Sequence, residues 1–194
     1  RMIIKMPRWQ SYMATTTAPL FSPEQCQNII DAGHAEKPQV AEVGMNKPKG
    51  GVDKKKRTTT ISWIPFDKLP QMYKAVENQL SLVNLNHFGF ENVRITEPAQ
   101  FTEYPKGGFY DWHMDNDVLG KHQPPVRKIS MTLLLSDPST FEGGELEFMS
   151  DGKKAKLKQG QAIFFASWLQ HRVKPVIRGE RKSLVMWFGG PSFK

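Results

Sequence analysis

The sequence predicts a mainly β protein with supporting helices, and two observations carry this prediction. From Glu97 onward, short runs rich in β-branched and aromatic residues are broken by Gly, Pro, Asp and Ser, as expected of an antiparallel sandwich. Before Glu97, apolar residues at helical spacing surround one strand-like run. The 194 residues are 39% hydrophobic, which is enough for one sizeable core. We therefore expect a single domain over 1–194, with helical support and the first strand in 18–96 and the main β unit in 97–190.

The first predicted helix has a clear N-terminal signature. Ser22 suits the N-cap, Pro23 suits the first helical position, and Gln25 completes a capping box three residues after the cap. The helix should run to about Ala35.

A strand and a second helix are predicted next. The β-branched run 58–64 predicts a strand that stops near Pro65. We expect the second helix to start near Asp67, because apolar residues recur there at helical spacing: Leu69, Met72, Tyr73, Val76, Leu80 and Val83.

Glycines mark the entries to two later strands. The pair Gly143 and Gly144 gives a turn before the run 145–148, and Gly160 precedes the apolar run 162–165. Together with the two helices, these strands predict a double-stranded β-helix, a cupin-like jelly roll, whose N-terminal helices pack on one sheet.

Three residues have the chemistry of a metal site. His113 and Asp115 stand two positions apart, so in an extended strand both side chains point to the same face. His171 can add a second imidazole from another strand. Two imidazoles and one carboxylate bind one face of a six-coordinate iron and leave the remaining positions open. The alternative is that these are ordinary surface or core residues, since a His-x-Asp pair arises often by chance.

Arg181 strengthens the metal interpretation. It lies ten residues beyond His171 and opens the apolar run 184–188. From that strand its guanidinium can reach back into the same cavity. The planar fork binds a carboxylate with two hydrogen bonds, as a dicarboxylate lying between metal and arginine would require.

Four blocks, in order, resemble a known enzyme family: YPKGGFYDWHMDN at 104–116, ISMTLLLSDP at 129–138, FEGGEL at 141–146 and HRVKPVIRGER at 171–181. This pattern is similar to Fe(II)/2-oxoglutarate dioxygenases of the prolyl 4-hydroxylase type, and within them to the bacterial PKHD-type hydroxylases. The resemblance covers roughly residues 97–190, about half the chain, which would be the catalytic core.

The resemblance implies roles for individual residues. His113, Asp115 and His171 would bind iron, and Arg181 would pair with the distal carboxylate of 2-oxoglutarate. Tyr104 matches a tyrosine that hydrogen-bonds this cosubstrate. Some relatives place a second tyrosine where this chain has Leu134, and the hydroxyl of Thr132 is a candidate replacement.

The implied activity is hydroxylation of an unactivated C–H bond with release of succinate and CO2. Its cofactors would be Fe(II), 2-oxoglutarate and O2, with ascorbate as a candidate reductant. The implied substrate is a prolyl residue in a peptide or protein, held by aromatic residues for which Trp187, Tyr110 and Trp112 are candidates. The alternative for each aromatic residue is a place in the core.

Other functions remain open at this point. The first alternative is a hydroxylase of a free amino acid or small metabolite. A nucleic-acid demethylase with the same metal chemistry is less favoured. A third alternative is a non-catalytic jelly-roll module that binds metal or mediates interactions.

Charge and cysteine content bound the partners and the compartment. The net charge of +8 is concentrated partly in the Gly- and Pro-containing segment 47–57. Such a run is usually a solvated loop, and the alternatives are a lid or a guide for an acidic partner. The single cysteine, Cys26, excludes an intramolecular disulfide. No run approaches the roughly 20 apolar residues of a membrane span, and no apolar leader is present, so we expect a cytoplasmic protein without membrane contact.

Overall fold

The computed structural model describes residues 11–40, 57–116, 123–150, 152 and 154–193. These residues form two α-helices, α1 (Pro23–Ala35) and α2 (Pro70–Val83), a π-helical turn over Asn84–Phe88 and a 3₁₀ turn over Pro138–Thr140. They also form strands β1 (Met13–Thr15), β2 (Gln39–Val40), β3 (Arg57–Thr58), β4 (Thr60–Ile64), β5 (Arg94–Ile95), β6 (Ala99–Tyr104), β7 (Phe109–His113), β8 (Val126–Leu134), β9 (Glu142–Gly143), β10 (Leu146–Phe148), β11 (Lys154–Ala155), β12 (Ala162–Ala166), β13 (His171–Val173), β14 (Val176–Arg178) and β15 (Arg181–Gly190).

Two antiparallel sheets make up most of the fold. The major sheet has eight strands in the order β1-β12-β8-β15-β6-β4-β2, with β5 paired to the far end of β15. The minor sheet has five strands in the order β11-β10-β13-β7-β3, and β14 pairs with β9 beside it. The predicted jelly roll is therefore confirmed.

The helices pack on one face of the major sheet, as predicted. Alternate residues of its central strands, such as Met131, Phe164 and Leu184, are fully buried against the helical layer. That layer contributes the apolar faces of both helices: Cys26, Ile29 and Ile30 from α1, and Met72, Tyr73, Val76, Leu80 and Val83 from α2. The central strands are buried on both faces, because the minor sheet covers the other side.

The inner face of the major sheet, which faces the minor sheet, is only partly apolar. Ile163 and Phe165 of β12 pack there against Leu146 and Phe148 of β10, and Val173 of β13 completes the contact. The same face carries buried polar residues: Gln100, Thr102, Ser130, Thr132, Arg181 and Ser183. Burying a polar layer between two sheets costs free energy unless its groups are hydrogen-bonded or bind a ligand. This layer therefore marks a candidate binding region.

The first helix and the first strand follow the sequence with one refinement. The capping box of Ser22 and Gln25 is present, and α1 ends at Ala35 as predicted. The predicted strand over 58–64 is divided at Thr59, because β3 pairs with β7 in the minor sheet while β4 pairs with β6 in the major sheet. The Thr59 hydroxyl donates to the Glu103 carbonyl at 2.8 Å and fixes this crossing.

The predicted start of the second helix near Asp67 is wrong by three residues. The chain first makes a turn, in which the Lys68 amide donates to the Pro65 carbonyl at 3.1 Å. The helix then begins at Pro70. Proline lacks an amide hydrogen and suits the first helical position, where that hydrogen would have no partner in the helix. Leu69 therefore precedes the helix, although its side chain still packs on the core.

Two further expectations concern a membrane span and the basic segment 47–57. Within the described ranges, no helix is long and apolar enough to cross a membrane. The basic segment 47–57 lies outside the described residues except for Arg57, which forms the start of β3.

Gly33 sets how closely α1 approaches the major sheet. A Cβ atom at this position would lie 2.3 Å from the ring of Phe101, which is itself fully buried. We predict that Gly33→Ala lowers the free energy of unfolding by about 1–2 kcal/mol, because overpacking outweighs the gain of up to about 1 kcal/mol in helix propensity. Urea unfolding measures this. Asp31→Ala on the exposed face is the control and should stay within about 0.5 kcal/mol of wild type; a Gly33→Ala variant as stable as the control would contradict the prediction.

Candidate metal centre

The pairing of β7 with β13 brings the two predicted histidine ligands together. His113 ends β7, His171 begins β13, and the two are directly paired across the strands. Their ring centroids lie 4.2 Å apart. Phe165 of the major sheet packs edge-on against His171 at 4.7 Å, so the histidines face the space between the sheets.

Asp115 joins the histidines from just beyond the end of β7. Its backbone amide and that of Asn116 both donate to the Ser167 carbonyl, at 2.9 and 3.0 Å, rather than continuing the strand pairing. Its carboxylate oxygens lie 3.6 Å from Nε2 of His113 and 3.7 Å from Nε2 of His171. One ligand atom from each of these three residues lies within 4.8 Å of the others. The three predicted ligands therefore come together around one point.

Backbone contacts prepare both imidazoles to bind a metal. Nδ1 of His113 lies 2.8 Å from the Asp111 carbonyl, and Nδ1 of His171 lies 2.9 Å from the Leu169 carbonyl. A carbonyl oxygen only accepts hydrogen bonds, so each Nδ1 carries the hydrogen in a neutral ring. The Nε2 lone pairs are then free and point toward the Asp115 carboxylate. This nitrogen and oxygen set fits Fe(II).

The protonation of the site also favours a cation. Burial and the nearby His171 lower the pKa of His113 from its ordinary 6.5 to about 3. Burial by itself would raise the pKa of Asp115, but interactions with the two histidines and with the Ser130 hydroxyl hold it below its ordinary value. At neutral pH the centre thus offers a neutral His113 and a carboxylate, as metal binding requires.

An irregularity in β7 places Tyr110 beside the metal ligands. Val173 pairs with Tyr110 while His171 pairs with His113, so two steps along β13 match three along β7. This bulge turns Tyr110 and His113 to the same face although they are three residues apart. Their rings stack at 3.5 Å with an interplanar angle of 12°. The stacking restricts rotation of the imidazole.

Arg181 lies on the inner face of the major sheet at the start of β15. It is 3% exposed and donates from Nη1 to the Ser183 hydroxyl at 3.2 Å. Burial lowers the pKa of its guanidinium. Among the described residues, no carboxylate forms an ion pair with it. A buried guanidinium in this state is a ready site for a carboxylate.

The other two predicted cosubstrate residues share this inner face. Tyr104 pairs with Arg181 across β6 and β15, and the guanidinium carbon lies 5.4 Å from the tyrosine ring centroid. Thr132 lies on β8 opposite Val185, and both Thr132 and Leu134 are buried. Leu134 pairs with Ser183, so an apolar side chain stands beside the arginine at the position where some relatives have tyrosine.

The three predicted substrate residues divide between the two faces of the sheets. Trp187 lies on the same face of β15 as Arg181, and the guanidinium of Arg127 covers its ring at 4.0 Å. Tyr110 is also on the inner side. The structure does not bring Trp112 to them, because its ring packs under Arg172 at 4.5 Å, and Arg172 points away from the metal side of β13. Both inner residues stay candidates for substrate contact.

Sequence reasoning missed three polar residues of this region. Ser130 supports Asp115, Ser183 holds Arg181, and Arg57 lies buried against the ring of Tyr110. The signal for the serines was present, since polar residues alternate with large apolar ones along β8 and β15. Arg57 gave no such signal, because it appeared in sequence as the end of a basic run.

The lowered pKa of His113 predicts a pH-dependent stability of the metal-free protein. Between pH values of about 6.5 and 4, His113 takes up a proton in the unfolded chain but not in the folded one, so stability falls as the pH falls, by up to about 1.4 kcal/mol per pH unit. Urea unfolding of metal-free wild type and His113→Asn across this range measures the effect. The variant should show the flatter dependence, and equal slopes would contradict the assignment.

Comparison with known proteins finds a family that is similar to the part of the chain holding the metal centre. Residues 99–189 match the model of the 2OG-Fe(II) oxygenase superfamily. A PKHD-type hydroxylase of Teredinibacter turnerae is 38% identical over 94 residues, which cover 46% of this chain and 42% of that protein. The chain thus spans about half the length, or somewhat less, of the relatives it matches.

Solved structures agree over a larger part of the chain. The viral collagen prolyl hydroxylase of Paramecium bursaria Chlorella virus-1 superposes with a TM-score of 0.69 at 22% identity, covering 92% of this chain and 96% of that one. A prolyl-4-hydroxylase of Pseudomonas putida gives a TM-score of 0.69 at 23% identity, with 92% of each chain covered. The metal centre, the fold and the sequence match coincide: residues 99–189 have the sequence pattern of the 2OG-Fe(II) oxygenase superfamily, and the solved structures share the fold.

Proposed function

We propose that this protein is an Fe(II)- and 2-oxoglutarate-dependent dioxygenase that hydroxylates a prolyl residue of a peptide or protein. The observation that carries the proposal is the combination of three converging ligands with a buried guanidinium, Arg181, that has no carboxylate partner among the described residues. The first feature fits the metal, and the second fits a dicarboxylate. A structural metal site would need only the first.

The residues have separate tasks in this proposal. His113, Asp115 and His171 would hold Fe(II), while Arg181, supported by Ser183, would bind the distal carboxylate of 2-oxoglutarate. When bound, the metal and cosubstrate supply the oxidative chemistry, in which one atom of O2 enters the C–H bond and the other enters succinate as CO2 is released. Phe148 and Phe165, which pack against His171, would limit the access of water to the metal. Ascorbate would serve as the reductant that restores Fe(II).

Support for a prolyl substrate comes from the relatives and from the aromatic residues of the inner face. Two structural neighbours are prolyl hydroxylases by name, one of them of collagen. Arg57 and His113 cover the two faces of the Tyr110 ring, so its edge is the part proposed to contact a pyrrolidine ring, together with Trp187 on the same inner side. A free amino acid is the second candidate substrate, because the buried cations between the sheets would suit a small anion.

The first test is turnover of 2-oxoglutarate. The anaerobically iron-loaded protein should consume O2 and form succinate when given 2-oxoglutarate, with stimulation by proline-rich peptides. Asp115→Ala should lose both turnover and tight Fe(II) binding, because one of three ligands is missing. Asp67→Ala, on an exposed turn, is the matched control and should behave as wild type. Absence of any succinate would favour a non-catalytic metal-binding module.

A second test concerns Arg181. Arg181→Gln should raise the KM for 2-oxoglutarate by about 10- to 100-fold, because a charge-assisted pair of hydrogen bonds is lost. The KM of Arg181→Lys should lie between those of wild type and Arg181→Gln, since lysine keeps the charge but not the planar fork. The control is Arg178→Gln on the exposed strand β14. An unchanged KM in Arg181→Gln would remove this residue from the cosubstrate site.

A further inference from the structure

Arg57 is a second buried cation beside the metal centre. It pairs with Tyr110 across β3 and β7 and is 7% exposed. Its guanidinium carbon lies 4.3 Å from the centroid of the Tyr110 ring, and the other face of that ring stacks on His113 at 3.5 Å. Only the thickness of one aromatic ring separates this charge from a metal ligand.

The contacts of Arg57 leave part of its hydrogen-bonding capacity unused. Nη2 donates to the Gln100 side-chain carbonyl at 3.2 Å, and the same oxygen accepts from the Thr102 hydroxyl at 3.3 Å. Nε is fully buried and has no hydrogen-bond partner, and within the described part of the chain no carboxylate pairs with the guanidinium. A buried cation without a counter-charge costs stability, which a bound anion would restore.

A purely structural role does not account for these contacts. Stacking on Tyr110 uses the face of the guanidinium, whereas the N–H donors lie in its plane and need acceptors. Gln100 satisfies only one of them. Gln100 belongs to the inner face of the major sheet, because its neighbours Ala99 and Phe101 face the helices. The fork of Arg57 is therefore held in the polar layer between the two sheets.

The charges of the site indicate that one negative charge is needed to balance Arg57. This step rests on the proposed function. The positive charge of Fe(II) and Arg181 together then equals the negative charge of Asp115 and doubly ionised 2-oxoglutarate together. Arg127 at the edge of this region is already paired with Glu97, at 2.6 Å from Nε to Oε1. Arg57 then remains the positive charge without a counterpart among the described residues of the site. A substrate that brings one negative charge would balance it.

We propose that Arg57, oriented by Gln100, binds a carboxylate of the substrate and selects substrates that carry one close to the hydroxylated carbon. The planar fork suits two parallel hydrogen bonds to a carboxylate. The position behind Tyr110 places this carboxylate within about two residues of the reacting carbon along an extended peptide. Two sources supply such a group: an acidic residue or C-terminus beside the proline of a peptide, or the carboxylate of a free amino acid.

The experiment compares kcat/KM for matched substrates. Succinate formation is measured with a prolyl peptide carrying Asp or Glu beside the proline, with the same peptide carrying Asn or Gln, and with free L-proline. Wild type should prefer a carboxylate-bearing substrate over its amide counterpart by about 10- to 100-fold. Preference for the acidic peptide identifies a peptide source, and turnover confined to L-proline identifies a free amino acid.

Variants assign the preference to Arg57. Arg57→Gln should abolish the preference, and Arg57→Lys should retain part of it through its charge. Arg94→Gln, at an exposed arginine on β5, is the matched control and should keep the wild-type ratio. The ratio between two substrates is read within each variant, so a change in stability that lowers both rates equally does not imitate the expected result.

Two outcomes would overturn the proposal. Wild type without any preference for the carboxylate excludes it while leaving the proposed dioxygenase activity intact. An equal loss for acidic and neutral peptides in Arg57→Gln would show that Arg57 only positions Tyr110 and His113. If no succinate forms, the dioxygenase proposal fails separately. The role of Arg57 is then decided by a binding experiment without oxygen. Fluorescence anisotropy measures how labelled acidic and neutral peptides bind to the protein with Fe(II) and 2-oxoglutarate.

Discussion

The pairing of β7 with β13 is the contact on which the rest of the site depends. It sets His113 directly opposite His171, and a shift of one residue in either strand would turn one imidazole to the outer face. The bulge between the two pairs is equally important, because it brings Tyr110 to the side of His113 and so links the metal ligands to Arg57. One irregular pair of short strands thus organises the metal centre and its surroundings.

Both sheets are needed to make this arrangement stable. The helical layer buries one face of the major sheet in a large apolar core, and Gly33 lets α1 approach closely enough to do so. That core offsets the cost of the polar layer on the opposite face, where two guanidiniums are buried without carboxylate partners among the described residues. Retaining such groups is expensive for the fold alone, so their natural explanation is binding of anionic ligands.

The two buried arginines lie in different parts of the inner region. Arg181 lies at the start of β15 with Tyr104 and Ser183, where we propose that the cosubstrate binds. Arg57 lies on the minor-sheet side, with Tyr110 between it and His113. Two separated cations around one metal centre suit two different anions. The arrangement therefore accounts for both proposals without assigning one residue to two roles.

The sequence by itself indicated the three candidate metal ligands, the helical capping and the overall fold class. These features are local or are written in ordered motifs: His113 and Asp115 stand close in the chain, and the Ser22 capping box spans four residues. The sequence also indicated Arg181, through its place before an apolar run.

Only the tertiary structure decided which of the nearby side chains face the ligands. A strict two-residue alternation would have separated Tyr110 from His113 and grouped Tyr110 with Trp112, whereas the bulge joins the first pair and sends Trp112 to the outer face. Asp115 reaches the site through bonds to Ser167, which is distant in sequence. The burial of Arg57 beside Tyr110 depends on the pairing of β3 with β7. The physical reason is common to these cases, because strand register, bulges and burial arise from contacts between distant segments, and no local pattern encodes them.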